Sequence, residues 1–466
     1  MFRNKTSQFR YSGVNMKRFD VEPTEEALRE SIGSDRAGRN ADVVEFVKLL
    51  SETEGPYAYM IDAAWGDGKT FFLKSIELVL RAMNPLISDE ECDCAGLEKL
   101  LEELEAIDVP FLPFYFNAWD NDFAEDPVTA LFASIAAAFD RNEVLKKAKV
   151  RSGVASVIDA GLAITQVPLR VSGMADALTS ESLISAYAAR SEVRNRIGEL
   201  AENSLVEVAN KLIIFIDELD RCRPDFAVRL LEQTKSLFAS ENIILVFAAD
   251  SSQLAKAVGG MYGPGFDSAR FLERFFDTRV TMTPVDAYSF ANNGKKLSGN
   301  NKFDKLADEL MSSRTLTIRD AYRLKSKLAA ARSYCLEGLN EELPQMVASC
   351  TVLPLLVFIE RDDIALFRSI TTGVDFDALY EYGKAYAAFN ENVKSVITRL
   401  RRNMPGEDQP EFTDADCKAY MHDLCVAIYG TAEGHPKYYE SKEQLGGFYS
   451  SSFDARVYKQ LKFDEK

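Results

Sequence analysis

Residues 63–70 form a glycine-rich run that ends in lysine and threonine, Ala-Ala-Trp-Gly-Asp-Gly-Lys-Thr. Glycines let backbone amides approach phosphate oxygens, and a helix that begins just after them adds the positive end of its dipole. Lys69 would reach the β- and γ-phosphates of a nucleotide, and the Thr70 hydroxyl would bind Mg²⁺. The pattern therefore predicts a phosphate-binding loop, although its usual first glycine is replaced by Ala63.

Seven consecutive residues of this segment are candidates for contact with the nucleotide. They are Trp65, Gly66, Asp67, Gly68, Lys69, Thr70 and Phe71. The alternative is an ordinary glycine-rich turn. A strand-like run at 57–61 precedes the loop and a helical apolar stripe from Phe72 to Met83 follows it. This order favours phosphate binding, because the motif needs a strand before the loop and a helix after it.

Two adjacent carboxylates end the apolar run at 211–217. A continuous apolar strand is typical of a parallel sheet that is covered on both faces. At the end of this strand, Asp217 would bind Mg²⁺ through water molecules of its coordination shell. Glu218 would position or deprotonate the water that attacks the phosphate. An isolated Asp-Glu pair is often only a solvated strand end. Its place downstream of a phosphate-binding loop favours the catalytic interpretation.

Two further charged residues are candidates for a catalytic role. Asp250 follows the apolar run 242–247 and could orient water or an arginine, or equally cap the next helix. Arg274 is the best candidate for an arginine that stabilises charge on the transferred phosphoryl group, from the same chain or a neighbouring subunit. Arg270 lies one helical turn earlier. A surface salt bridge is the competing interpretation for both arginines.

Composition narrows the class of protein. The 466 residues predict two or three domains, and the net charge of −17 argues against a nucleic-acid coat, although local basic patches leave nucleic-acid contact open. Seven scattered cysteines predict reduced thiols, and two histidines disfavour a histidine-based triad or a multi-histidine metal centre. The basic, polar start does not resemble a signal peptide, and no apolar run is long enough for a membrane span. We expect a cytoplasmic protein, with peripheral membrane association as the alternative.

Several motifs together carry a family resemblance. They are Trp-Gly-Asp-Gly-Lys-Thr at 65–70, Phe-Asn-Ala-Trp-Asp at 116–120, the run 212–224 through Asp217 and Glu218, and Leu-Val-Phe-Ala-Ala-Asp at 245–250. In combination, over about residues 31–335, the chain resembles the KAP family of P-loop NTPases. The resemblance implies an α/β fold of the additional-strand type, with a parallel sheet between helices. It also implies binding of ATP with Mg²⁺ and a catalytic base at Glu218, and Trp65 and Trp119 match tryptophans of the family.

The resemblance also suggests how the chain is divided. We expect a basic, poorly ordered arm at 1–30, a nucleotide-binding core at 31–290, a helical lid at 291–340 and a mainly helical C-terminal region at 341–466. The core would carry an insertion at about 144–180, for which we favour a surface segment or a packed helical hairpin, with a helix on a membrane surface as the alternative. Arg319 would contact the nucleotide from the lid, or simply begin a helix whose first turn holds Asp320.

These features favour an ATP-hydrolysing P-loop NTPase that acts as a regulatory or signalling switch. Family resemblance adds phage exclusion or antiviral defence as a setting, and self-association or a separate effector protein as partner. Two alternatives remain from the sequence. One is a nucleotide-binding scaffold that barely hydrolyses, and the other is a DNA-stimulated ATPase, which depends on small basic patches such as 394–402.

Overall fold

The structure is a computed structural model. It describes residues 23–35, 37–87, 96–141, 155–157, 159, 180–199, 208–283, 285–291, 301–337, 343–402 and 413–430. These residues fall into two compact units, one within Val21–Val285 and the other within Asp286–Lys466. We call them the α/β unit and the helical unit.

The α/β unit alternates helices and strands. Its elements are α1 Glu25–Ser34, α2 Asn40–Glu52, β1 Tyr57–Asp62, α3 Lys69–Ala82, α4 Glu98–Leu104, β2 Phe111–Asn117, α5 Pro127–Arg141, α6 Ser180–Glu199, β3 Lys211–Asp217, α7 Pro224–Leu237, β4 Ile243–Ala249, α8 Ser251–Tyr262, α9 Ser268–Leu272 and β5 Thr278–Thr281. The strands form one sheet in the order β2-β3-β4-β1-β5, and every neighbouring pair is parallel. Strand β4 lies between β1 and β3, so the predicted additional-strand fold is confirmed.

Apolar clusters cover both faces of the sheet. Along β3, Ile214 and Ile216 belong to one cluster, whereas Ile213 and Phe215 belong to the other. This alternation follows the two-residue period of a strand. It explains why the sequence of β3 is apolar without interruption, since neither of its faces meets water.

Parallel pairing brings the carboxyl ends of the strands to one edge. Asn117 pairs with Asp217, and Asp217 pairs with Ala248 in the next strand. Asp62 at the end of β1 pairs with Ala249. The loop after β1 and the turn after β3 therefore leave the sheet at the same edge, with only β4 between their strands.

The helical unit has a hydrophobic core of its own. Its helices are α10 Ala287–Ala291, α11 Lys302–Ser312, α12 Ile318–Glu337, α13 Leu343–Asp362, α14 Ile364–Thr371, α15 Ala378–Gly383, α16 Ala387–Arg402 and α17 Asp414–Tyr429. One cluster includes Leu324 of α12 together with Phe358 of α13 and Leu424 of α17. The core thus continues across residue 340, where we expected the lid to end.

Arg314 ties the α11–α12 connection to later helices. Its Nε donates to the Asp362 carboxylate at 2.9 Å, and its second amino group donates to the hydroxyls of Tyr382 and Tyr386. The guanidinium also lies 4.5 Å from the centre of the Phe358 ring. Arg314 is partly buried, and these partners offset the cost of removing its charge from water. We conclude that the helices before and after residue 340 pack as one body.

Two helices precede β1. Arg39 is the N-cap of α2, and its side chain makes no capping hydrogen bond. Helix α1 begins at Glu25, near the end of the segment 1–30. Most of the insertion at 144–180, like residues 1–22, lies outside the described residues. Among the helices that the structure describes, none combines the length and the apolar character that crossing a bilayer requires.

Candidate functional site

The loop between β1 and α3 has the backbone that phosphate binding requires. Gly66 and Gly68 have φ values of 94° and 85°. Side chains with a Cβ rarely adopt this region, so the glycines are needed here. Gly68 caps α3, and its carbonyl accepts the amide of Phe72 at 2.9 Å. The predicted strand, loop and helix are all present, and the helix N-terminus begins at Lys69.

Lys69 is held inside the loop by its own backbone. The side chain is buried, and Nζ donates to the carbonyls of Ala63 at 2.7 Å and Ala64 at 3.2 Å. Burial lowers the pKa of Lys69, and nearby carboxylates, with Asp220 the strongest, partly raise it. The ammonium is therefore oriented before any ligand arrives, at an electrostatic cost.

Asp217 joins the loop to the end of β3. The carboxylate is fully buried at 0 % exposure, and it accepts hydrogen bonds from the hydroxyl of Tyr115 and from the amide of Glu218, both 2.8 Å long. The Thr70 side chain, from the first turn of α3, also interacts with it. Burial raises the pKa of Asp217, and Thr70, Tyr115 and the Glu218 amide partly lower it. The structure thus brings together the two residues that we predicted for the metal.

The donor set fits a magnesium ion that is shared with a nucleotide. A hydroxyl and a carboxylate oxygen are hard ligands of the kind Mg²⁺ takes. In the part of the chain that the structure describes, no group of three or more His, Cys, Asp or Glu residues could hold a metal alone. Mg²⁺ usually takes one or two protein ligands and fills its shell with water and phosphate oxygens. Thr70 and Asp217 would meet that need.

Glu218 has a left-handed backbone conformation with φ 59° and ψ 29°. For a residue with a side chain this costs about 1–3 kcal/mol, and such strain is concentrated at functional sites. Its carboxylate pairs with the Arg221 guanidinium at 3.0 Å and accepts from the Asn117 amide at 3.4 Å. Burial raises the pKa of Glu218, whereas Arg221 lowers it. The carboxylate is fixed on both sides at the edge of the sheet.

Asp220 links three segments and was not among our predicted site residues. Its Oδ2 accepts from the Trp65 indole at 2.5 Å and from the Asp250 amide at 2.8 Å. The Asp250 side chain instead caps α8, because its Oδ1 accepts the amides of Ser252 and Gln253. The helix cap, which the sequence left open, is the role that this geometry shows.

The remaining candidates differ in their surroundings. Asp67 is half-buried; burial raises its pKa, and Arg39 and Lys69 lower it. Phe71 is partly buried in the first turn of α3, against the core. Arg274 is exposed, and its guanidinium makes no ion pair or hydrogen bond within the described residues. Arg319 lies in the first turn of α12, in the helical unit.

Sequence reasoning missed Tyr115, Asn117, Asp220 and Arg221 as site residues. Tyr115 and Asn117 end the strand that pairs with β3, so strand pairing would have revealed them. Asp220 and Arg221 come two and three residues after Glu218, but nothing in the sequence states which way a short turn directs its side chains.

The fold and site together define a P-loop NTPase of the additional-strand class. The model of the KAP family P-loop domain matches residues 41–325, which is more than half of the chain, and the chain belongs to this family. The resemblance that the motifs indicated is confirmed. No curated protein matches the sequence. A solved structure of PCH-2 from C. elegans is similar at 10 % identity, over 86 % of this chain and 69 % of that one, with a TM-score of 0.19. That score is too low to support an argument.

We expect Lys69→Met to separate nucleotide binding from folding. Binding should weaken by about 100-fold, because hydrogen bonds to charged groups contribute about 1.5–3 kcal/mol each. The nucleotide-free protein should keep its melting temperature or gain slightly, since an apolar side chain avoids burying the ammonium. Titration calorimetry and thermal unfolding test this, with the exposed Lys48→Met as control. Unchanged affinity in the Lys69 variant would contradict our assignment.

Proposed function

We propose that the protein binds ATP with Mg²⁺ and hydrolyses its γ-phosphate. The observation that supports this most directly is that the Thr70 side chain interacts with the buried Asp217 carboxylate and lowers its pKa. This interaction joins the phosphate-binding loop to the strand end that carries Glu218. The preference for adenine is proposed from family membership. An Asn-Lys-x-Asp run is present at 301–304, but it begins helix α11, where Asn301 is the N-cap.

Binding follows from the groups around the N-terminus of α3. The loop amides and the helix dipole would hold the phosphate chain, and the Lys69 ammonium would exchange its carbonyl partners for phosphate oxygens. Bound Mg²⁺ supplies charge neutralisation at the phosphate oxygens, held by Thr70 and, through water, by Asp217. These roles account for the burial of Lys69 and Asp217 and for the place of Thr70 beside them.

Hydrolysis needs a group that handles water. Glu218 lies one residue beyond Asp217, so its carboxylate is the nearest candidate at the strand end. It would orient a water molecule toward the γ-phosphorus and accept its proton as the bond to the β-phosphate oxygen breaks. Arg274 remains our candidate for stabilising the transferred group, from this chain or another copy, because its guanidinium is exposed and unpaired within the described residues. We place Asp250 in the site through its backbone bond to Asp220, without direct phosphate contact.

We expect Glu218→Gln to lower ATP turnover by about 10²–10⁴-fold while nucleotide affinity stays close to that of the wild type, because the amide can hold water but cannot take its proton. Steady-state phosphate release and titration calorimetry measure the two effects. Glu232→Gln, on the exposed face of α7, is the matched control. Equal turnover in the wild type and the Glu218 variant would favour the scaffold over an enzyme. Stimulation by added DNA would favour the DNA-dependent alternative.

We also propose that hydrolysis serves as a switch. The helical unit packs as one body, so a change at one of its helices would move the whole of it. Arg319, in the first turn of α12, is our candidate for coupling that unit to the phosphates.

We expect ATP with Mg²⁺ to change the assembly state of the purified protein, or its assembly with an effector. Light scattering coupled to size-exclusion chromatography, with and without nucleotide, measures the first of these. Lys69→Met should remove the response, because it removes binding. An identical mass under all conditions, with an effector also absent from pull-downs, would contradict the switch.

A role in antiviral defence is supported by the resemblance to the KAP family. If the role is correct, bacteria that express the chain with its partner genes should lower the plating efficiency of a sensitive phage by at least about tenfold. Glu218→Gln should restore plating, since a defence switch depends on nucleotide turnover. Equal plating with and without the wild-type chain, across a panel of phages, would remove this part of the proposal.

A further inference from the structure

A single 3₁₀ turn, Leu219–Arg221, directly follows Glu218, and its two charged side chains have different partners. Asp220 accepts from Trp65 in the phosphate-binding loop. Arg221 pairs with Glu218 and lies over the ring of Trp119. Neither residue has a part in the proposed chemistry so far. Their different partners suggest that one turn sets two separate features of the site.

Asp220 restrains the loop through its indole partner. The carboxylate is buried at 8 % exposure, but the Trp65 ring is 47 % exposed. Burial therefore does little to fix the ring, and the 2.5 Å hydrogen bond from its Nε1 is the restraint. The same carboxylate oxygen accepts the Asp250 amide at 2.8 Å, which anchors Asp220 to the tip of β4. Through this oxygen the loop after β1 is connected to the strand beside it.

Arg221 restrains the carboxylate of Glu218. The distance between the charged groups is 3.0 Å, and the side chains of Arg221 and Glu218 are 28 % and 15 % exposed. The guanidinium lies 5.3 Å from the centre of the Trp119 ring, within the range of a cation–π contact. The backbone of Trp119 is held in place, because its amide donates to Asn117 Oδ1 at 3.0 Å, and its ring is 48 % exposed. Arg221 is thus held from one side while it holds Glu218 on the other.

We propose that Asp220 is a positioning residue for the phosphate-binding loop and that Arg221 is a positioning residue for Glu218. This inference rests on the proposed ATP hydrolysis and deepens it. Asp220 acts on nucleotide affinity, because its partner belongs to the segment that holds the phosphates. Arg221 acts on the rate of the chemical step, because its partner handles the water.

The restraint of Trp65 by Asp220 can be tested without nucleotide. The chain has only two tryptophans, and both contact this turn. In a Trp119→Phe background the emission reports Trp65 alone. Adding Asp220→Ala should shift this emission to the red and increase its quenching by iodide, since the indole loses its restraint. Asp220→Asn keeps an acceptor oxygen and should resemble the background protein. An identical spectrum and identical quenching in the Ala and Asn variants would overturn the claim that Asp220 restrains Trp65.

Nucleotide binding and turnover test the division of roles. Asp220→Ala should raise the Kd for ATP by roughly tenfold or more with a small change in kcat, because a hydrogen bond to a charged group is lost. Arg221→Ala should lower kcat by at least about tenfold at nearly unchanged Kd, and Arg221→Lys should restore part of it by keeping the charge. Asp225→Ala and Arg229→Ala break a surface ion pair of 2.9 Å on the neighbouring helix and are the matched controls.

The outcomes distinguish this inference from the proposed function. If the wild type binds and hydrolyses ATP but both variants change Kd and kcat equally, or Arg221→Ala raises kcat, the division of roles is wrong while the ATPase stands. If the wild type binds no nucleotide, the proposed ATP hydrolysis and the division of roles are both wrong. Should Asp220→Ala not fold, Trp65→Phe removes the same hydrogen bond from its exposed end. That variant is then expected to show the affinity loss, and wild-type affinity would overturn the proposal.

Discussion

The site depends on one interaction, between the Thr70 side chain in the first turn of α3 and the buried Asp217 carboxylate. It joins the start of α3 to the end of β3, two segments separated by nearly 150 residues of sequence. Both lie at one edge because all five strands are parallel, and β4 is the single strand between β1 and β3. The roles proposed for Lys69 and Glu218 follow from this contact, since each is adjacent in sequence to one of its partners.

Bringing these groups together costs free energy. Burial raises the pKa of Asp67, Asp217 and Glu218 and lowers that of Lys69, so each charged form is disfavoured by its surroundings. The left-handed backbone at Glu218 adds strain at the same place. Such costs are typical of sites that are organised before the ligand binds. The apolar clusters on both faces of the sheet provide the stability that offsets them.

The sequence predicted the fold well where its signals were local. The strands β1, β2 and β3 are continuous apolar runs, the loop follows its glycines, and Pro224 begins α7 as its fixed φ favours. Local signals say less about how helices pack against one another. The expected boundary at residue 340 lies within a segment whose two sides contribute residues to one hydrophobic core.

The sequence by itself determined the phosphate-binding loop and the paired carboxylates, because backbone freedom at glycine and charge at a strand tip are properties of the residues. Only the tertiary structure decided that Asp220 reaches Trp65 and that Arg221 reaches Glu218. It also decided that the Asp250 side chain caps helix α8. The physical reason is that these side chains follow sharp turns. The directions of these side chains depend on the backbone angles of the turn and on the groups that lie across the edge of the sheet. Residue type and spacing specify neither of these.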